Sequence, residues 1–186
     1  VISNVSLNKM TLIIDGRKHK AIQIGTVMTN EKYRKKGLAY KLLSKVINDY
    51  EDNYELFYLA ADEIAIPLYK KCGFKYIEEN KYVIDVRNYN KIIEPLKPIN
   101  IKPSELLKIK KESKPLSNIF SAINDEHVLM FYYTLGFKKN IYKNNSDVYV
   151  IFEIHEDKLH LYDIFSKNDF DIFFSTQLLN QICVFF

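Results

Sequence analysis

An Asp15-Gly16 pair between two runs of β-forming residues commits residues 4–29 to a β-hairpin, and whatever follows must pack on that ribbon. Strands are expected over Asn4–Ile14, where apolar and polar positions alternate, and over Lys20–Thr29. A polar loop follows, Glu31-Lys32-Tyr33-Arg34-Lys35-Lys36-Gly37. Apolar residues then recur at Leu38, Leu42, Val46 and Ile47, a spacing that predicts a helix over Leu38–Tyr50. A helix start leaves N–H groups unpaired and carries partial positive charge. Gly37 has no Cβ to keep a ligand off the backbone, and Arg34, Lys35 and Lys36 add full charges beside it. Two readings stand at this point: an anion cradle, or a solvated basic helix start. The segment lacks the Gly-Lys-Ser/Thr of a P-loop and the three glycines of a dinucleotide fold.

Leu56–Ala60 is a short apolar run, as in a strand covered on both faces. Asp62 is placed to cap a helix carrying Ile64, Ala65, Leu68 and Tyr69, with Gly73 as its stop. Tyr76–Val86 reads as one or two strands. Pro95, Pro98, Pro103 and Pro115 then fall among lysines, which predicts a linker over residues 90–116 with a short helix at Ser104–Lys111 capped by Ser104. Helical spacing over Ser117–Leu135 is carried by Ile119, Phe120, Ile123, Val128, Leu129 and Tyr132. Asp147–Ile154 and Lys158–Phe165 form a second hairpin across His155-Glu156-Asp157, and a last helix and a strand over Ile182–Phe186 close the chain.

Two motifs in this order carry a resemblance. Arg34, Gly37 and Ala39, preceded by Tyr33, match Gln/Arg-x-x-Gly-x-Gly/Ala. Ala65, Tyr69, Gly73 and Phe74 match Asn-x-x-Ala-x-x-x-Tyr-x-x-x-Gly-Phe, with Asp62 in place of the Asn. Together they resemble the GNAT N-acetyltransferase superfamily. The resemblance implies an α+β fold with a mixed, mostly antiparallel sheet flanked by helices over residues 1–89. It also implies a smaller, degenerate GNAT-like α+β half over residues 117–186, as in larger bacterial members. The family's first strand and the helices after it have no counterpart before Val1. A chain starting at Val1 rather than Met is therefore expected to be a fragment or a trimmed product.

The same resemblance implies acetyl-CoA as cosubstrate and a small-molecule or peptide amine as acceptor, with direct attack of the amine on the thioester. The backbone of Val27, Met28 and Thr29 would pair with the pantetheine arm. The loop from Arg34 through Lys35, Lys36, Gly37 and Leu38 to Ala39 would bind the pyrophosphate. Tyr69 would protonate the departing thiolate, the alternative being a core aromatic. No general base is singled out: Gln23 stands where some members carry a Glu, and Glu63 and Glu153 are the other candidates. The rival reading is a CoA-binding or sensor module that has lost catalysis.

Composition narrows the classes. The 186 residues are 47% hydrophobic and 27% charged, enough for a sizeable core. A net charge of +4, spread along the chain, does not make the concentrated basic face of a nucleic-acid binder. No apolar run approaches a membrane span, so no membrane partner is expected. Cys72 and Cys183 show no metal-ligand spacing, which suits a reducing cytoplasm. The abundance of Lys, Asn and Ile suggests an AT-rich bacterial genome. His155 and His160 flank one turn, and two ligands do not make a metal site. A homodimer stays open.

Overall fold

The computed structural model describes residues 1–78, 81–84, 95–156, 158–170 and 182–185. Strands β1 (Ser3–Ile14) and β2 (Arg17–Thr29) form the hairpin, paired antiparallel along their length. Asp15 and Gly16 both take left-handed φ, 48° and 74°, as a two-residue hairpin turn demands. So tight a turn lets pairing begin at once with Ile14 opposite Arg17, ahead of the expected start at Lys20. Between Val5 and Leu7 the register slips, because β2 inserts an extra residue between their partners Val27 and Ile24. Gly25 lies in that bulge, where a Cβ would come within 3.3 Å of Ser6 Cβ.

Helix α1 (Leu38–Tyr50) has its expected bounds and buries Leu43 against Ile22 and Ile24. Strand β3 (Leu56–Tyr58) is shorter than the expected Leu56–Ala60 and runs parallel to β2. Tyr58 is partly exposed, so this strand is not covered on both faces. Asp62 does not cap through its side chain. Its backbone carbonyl instead accepts from Ala65 N–H at 2.8 Å, opening a 3-10 turn at Glu63–Ala65 that leads into α2 (Ile66–Lys71). Gly73 ends α2 at φ 92°, and Phe74 N–H reaches back to the Tyr69 carbonyl at 3.1 Å.

Within the expected strand region over Tyr76–Val86, β4 spans Lys81–Ile84, and Tyr76 and Ile77 are exposed in irregular chain; residues 79, 80, 85 and 86 lie outside the described residues. The segment read as a linker holds β5 (Lys97–Pro98) and α3 (Pro103–Lys111), whose Leu106 and Ile109 are buried. The proline that suggested irregular chain sits in the first turn of α3, where its missing N–H costs nothing. Ser104 therefore lies inside the helix, and Lys102 is at the cap position.

Helical spacing misled over part of Ser117–Leu135. Its first part is a strand, β6 (Phe120–Ile123), followed by α4 (Glu126–Leu135). The second hairpin is present, as β8 (Tyr149–His155) and β9 (Lys158–Phe165), after a short β7 (Ile141–Lys143). Strand β10 (Ile182–Phe185) falls in the expected final strand, and the helix expected before it lies outside the described residues.

Two sheets result. The first has order β3-β2-β1-β6 and the second β4-β10-β9-β8-β7-β5, antiparallel except for β2 beside β3 and β9 beside β10. The second sheet and its helices share a core of Leu106, Ile109, Leu129, Ile141, Ile151 and Phe165. β6 belongs to the first sheet, with Thr11–Ile14 opposite Phe120–Ile123. Ala122 and Val128 then pack on Met10, Leu12 and Ala21.

A piece ending at Asn90 would lack those covers and expose Met10 and Leu12 on a bare sheet face. Such a piece is expected to aggregate, while the 186-residue chain elutes as a defined species by size-exclusion chromatography. A soluble, monomeric residue 1–90 fragment would contradict this packing.

Candidate functional site

Strands β2 and β3 run side by side for only three register pairs: Ala21 with Leu56, Ile22 with Phe57 and Gln23 with Tyr58. Beyond Gln23 they part. β2 continues to Thr29, and over residues 24–29 its edge on the β3 side has no strand partner among the described residues. β3 ends at Tyr58, which leaves the backbone N–H and C=O groups on that side of β2 without a strand partner among the described residues. Such groups need a partner, and an extended ligand with its own amides can supply one as an added strand does. Val27, Met28 and Thr29 lie at the outer end of this edge. Met28 is 52% exposed, and Met28, Thr29, Asn30, Glu31, Lys32 and Arg34 line an open hollow.

The loop from β2 to α1 is held by short-range contacts. Asn30 Oδ1 accepts from Lys32 N–H at 3.1 Å, and Arg34 Nε donates to the Thr29 carbonyl at 3.1 Å. The Arg34 guanidinium also lies 3.6 Å from the Glu31 carboxylate. Lys35 and Gly37 both have left-handed φ, 62° and 73°. That is strained for the lysine and natural for the glycine. Gly37 is the N-cap of α1 and has no side chain to accept a bond from the first turn. The N–H groups of Leu38, Ala39 and Tyr40 thus begin the helix without a side-chain cap. A Cβ built on Gly37 would meet nothing within 4 Å, so the space before the helix start is open. Arg34, Lys35 and Lys36 are exposed around it, and Lys36 Nζ lies 5.3 Å from the Tyr33 ring centre.

Tyr69 reaches the same region from α2. It packs on the cluster of Ile22, Ile24 and Leu43 that also takes in Val27, and meets Phe74 edge-on at 6.0 Å. Burial, with smaller contributions from Asp62 and Cys72, raises the Tyr69 pKa above the usual phenol range. The hydroxyl therefore stays protonated at neutral pH, as a general acid must before it acts. Burial likewise raises the Cys72 thiol, which makes it a poor nucleophile.

The candidate bases are not brought together. Gln23 Oε1 accepts from Asn8 Nδ2 at 3.1 Å, and Glu63 is exposed in its 3-10 turn. Glu153 lies in the second sheet, bonded by Asn140, Tyr162 and His155. Burial works to raise its pKa, but those three donors outweigh it and the carboxylate titrates low. His155 and His160 meet edge-on at 5.3 Å, and no group of three metal-ligating side chains occurs among the described residues. No described helix is long and apolar enough to cross a membrane. Sequence reading passed over Tyr58, hidden in an apolar run, although its register opposite Gln23 puts it at the end of the β2–β3 pairing.

Comparison with known proteins places this architecture. Residues 1–77 match the family model of an acetyltransferase (GNAT) domain. No curated protein matches the chain. Among solved structures, Eis1 from Mycobacterium abscessus is similar at 14% identity and TM-score 0.63, over 98% of this chain and 53% of that one. A conserved protein of unknown function from Enterococcus faecalis, described as a probable N-acyltransferase, has 15% identity and TM-score 0.60, over 99% and 51%. A GCN5-related N-acetyltransferase from Kribbella flavida has 13% identity and TM-score 0.58, over 100% and 50%. Identities this low show the fold alone. The chain spans about half the length of each of these structures.

Proposed function

We propose, from the match of residues 1–77 to a GNAT acetyltransferase domain, that this protein transfers the acetyl group of acetyl-CoA to an amine. One observation carries the reading: the edge of β2 beyond Gln23, without a strand partner among the described residues, runs to Thr29 and into a loop whose helix start is capped by a left-handed glycine among exposed basic side chains.

In this reading the pantetheine arm lies along the free edge of β2, its amides pairing with the backbone at Val27, Met28 and Thr29. The pyrophosphate meets the N–H groups from Lys35 to Ala39, with Arg34 alongside. The amine attacks the thioester carbonyl directly, and no covalent enzyme intermediate forms. Tyr69 gives its proton to the leaving thiolate. An ordinary thiol near pKa ~8.5 and an ordinary phenol near ~10 are close enough for such a transfer within a hydrogen bond, and burial lifts Tyr69 above that phenol value. The acceptor is a small-molecule or peptide amine. The cytoplasm, where a free thiol such as Cys72 stays reduced, is the proposed compartment. Residues 117–186 are proposed to derive from a second GNAT-like half.

Arg34→Ala tests the phosphate side of the reading. It removes a charge-assisted hydrogen bond at an exposed position, so CoA affinity is expected to fall about tenfold, roughly 1.4 kcal/mol. Calorimetric titration with CoA measures it, and unchanged affinity would remove Arg34 from the site.

A further inference from the structure

The two faces of the first sheet are finished differently. On the α1 face, Val5, Leu7, Ile22, Ile24 and Phe57 join one apolar cluster. On the opposite face the lining changes along the strands. Met10, Leu12 and Ala21 are packed against by Leu56, Ala122 and Val128. Toward Thr29 the same face turns polar. Asn4, Ser6 and Asn8 alternate along β1, and Gln23 and Tyr58 continue the row from Asn8 across β2 and β3. Asparagine is disfavoured in strands, so the sheet itself does not call for Asn4 and Asn8.

Most of these groups bond one another. Asn4 Nδ2 donates to Ser6 Oγ and to the Thr26 carbonyl, both at 3.2 Å, and Asn8 Nδ2 donates to Gln23 Oε1 at 3.1 Å. Two donors at the end of the row remain uncommitted. Gln23 Nε2 makes no hydrogen bond to a described residue. The Tyr58 hydroxyl meets only Met10 Sδ among the described residues, at 2.9 Å, and a thioether is a weak acceptor. Burial first, then the charge of Asp125, push the Tyr58 pKa up to about 12, so the phenol stays a donor.

Gln23 and Tyr58 form the last β2–β3 pair, and the free edge of β2 begins at the next residue. The pantetheine chain from phosphate to sulfur is as long as the backbone of about four residues, roughly 13 Å extended. Laid along β2 from Thr29, where the loop to α1 begins, it brings the sulfur level with Gly25 and the thioester carbon toward the Gln23–Tyr58 pair. Tyr69 belongs to the cluster on the α1 face, and Tyr58 to the row on the opposite one. The two phenols therefore serve the end of β3 from opposite sides.

We propose that Tyr58, with Gln23 as a second donor, holds the carbonyl oxygen of the thioester and the oxyanion it becomes. The inference rests on the acetyl-transfer reading. As the amine nitrogen bonds to the carbonyl carbon, the π pair moves onto oxygen, and the Tyr58 hydroxyl exchanges its thioether contact for a charge-assisted hydrogen bond. The nitrogen loses its proton to solvent. The carbonyl then re-forms, the C–S bond breaks, and sulfur leaves with the electron pair and takes the proton of Tyr69. Tyr58 keeps its own proton throughout.

The test titrates the 186-residue chain with CoA, acetyl-CoA and S-ethyl-CoA, a thioether that keeps both acetyl carbons and lacks the oxygen. Wild type is expected to bind acetyl-CoA about fivefold more tightly than S-ethyl-CoA, the effect of one hydrogen bond. Tyr58→Phe keeps the ring beside Met10 and should abolish that preference while leaving CoA affinity unchanged. Gln23→Met keeps the length of the side chain without its donors and should reduce the preference. This second variant decides the matter if Tyr58→Phe does not fold. Equal affinity of wild type for acetyl-CoA and S-ethyl-CoA would overturn the proposal, as would the full preference in folded Tyr58→Phe protein. CoA is titrated first. Failure to bind it would overturn the acetyl-transfer reading and this role together, whereas CoA binding without a preference for the carbonyl counts against Tyr58 alone.

Discussion

Gly37→Glu protein is expected to fold and to bind CoA at least about a hundredfold more weakly than wild type. The residue sits at φ 73°, so any side chain adds backbone strain, on the order of 1–2 kcal/mol. That cost falls on an exposed loop end and should be survivable. A Cβ there meets nothing within 4 Å, so the new side chain starts into open space. It stands before the first N–H groups of α1, where the helix dipole favours an anion. The variant thus carries its own anion in the place proposed for the pyrophosphate. Bulk and like-charge repulsion both oppose the ligand. Gly37→Asn is the matched control, since asparagine tolerates left-handed φ and adds no charge. It should lose much less affinity. Calorimetry with CoA on both variants, beside their thermal midpoints, separates ligand exclusion from misfolding. Wild-type affinity in folded Gly37→Glu protein would contradict the cradle.

Tyr69→Phe should lower turnover by about 10²–10⁴ while changing CoA affinity and stability little. The ring packs on Ile22, Ile24 and Leu43 and meets Phe74 edge-on, and phenylalanine keeps all of these contacts. Only the hydroxyl is lost. Because its pKa is raised, the wild-type phenol stays protonated as pH rises through neutrality. Loss of rate at alkaline pH should therefore begin above the usual phenol range if Tyr69 is the acid, and Tyr69→Phe should lack that limb. Thiol release from acetyl-CoA, followed over a pH series with an accepted amine, measures both. Full turnover in the variant would make Tyr69 a packing residue.

The legible parts of this fold were local. Asp15-Gly16 needs only its neighbours to turn the hairpin, and α1 follows from the spacing of its own apolar residues. The loop could be read because Gly37 and the basic residues before it are adjacent in sequence. β6 could not be, because it is a strand through pairing with β1, and its flanking Asn124 bonds a residue 113 positions away. Over so few residues, Ile119, Phe120 and Ile123 satisfy helical spacing as well as strand pairing. α3 was obscured by Pro103, which reads as a break although it begins the helix. The ion pairs of Lys110 with Asp125 and Asp163 gave no signal either, because they join separate elements of the chain.

The central claim is that the start of α1 holds the pyrophosphate of CoA. Titrating the 186-residue chain with CoA and with pantetheine tests it most directly, because pantetheine keeps the arm that would lie along β2 and lacks the phosphates together with the adenosine they carry. CoA is expected to bind, and pantetheine to bind at least about a hundredfold more weakly, the loss of two or more charge-assisted hydrogen bonds. Equal affinity for the two, or no binding of CoA, would contradict the claim.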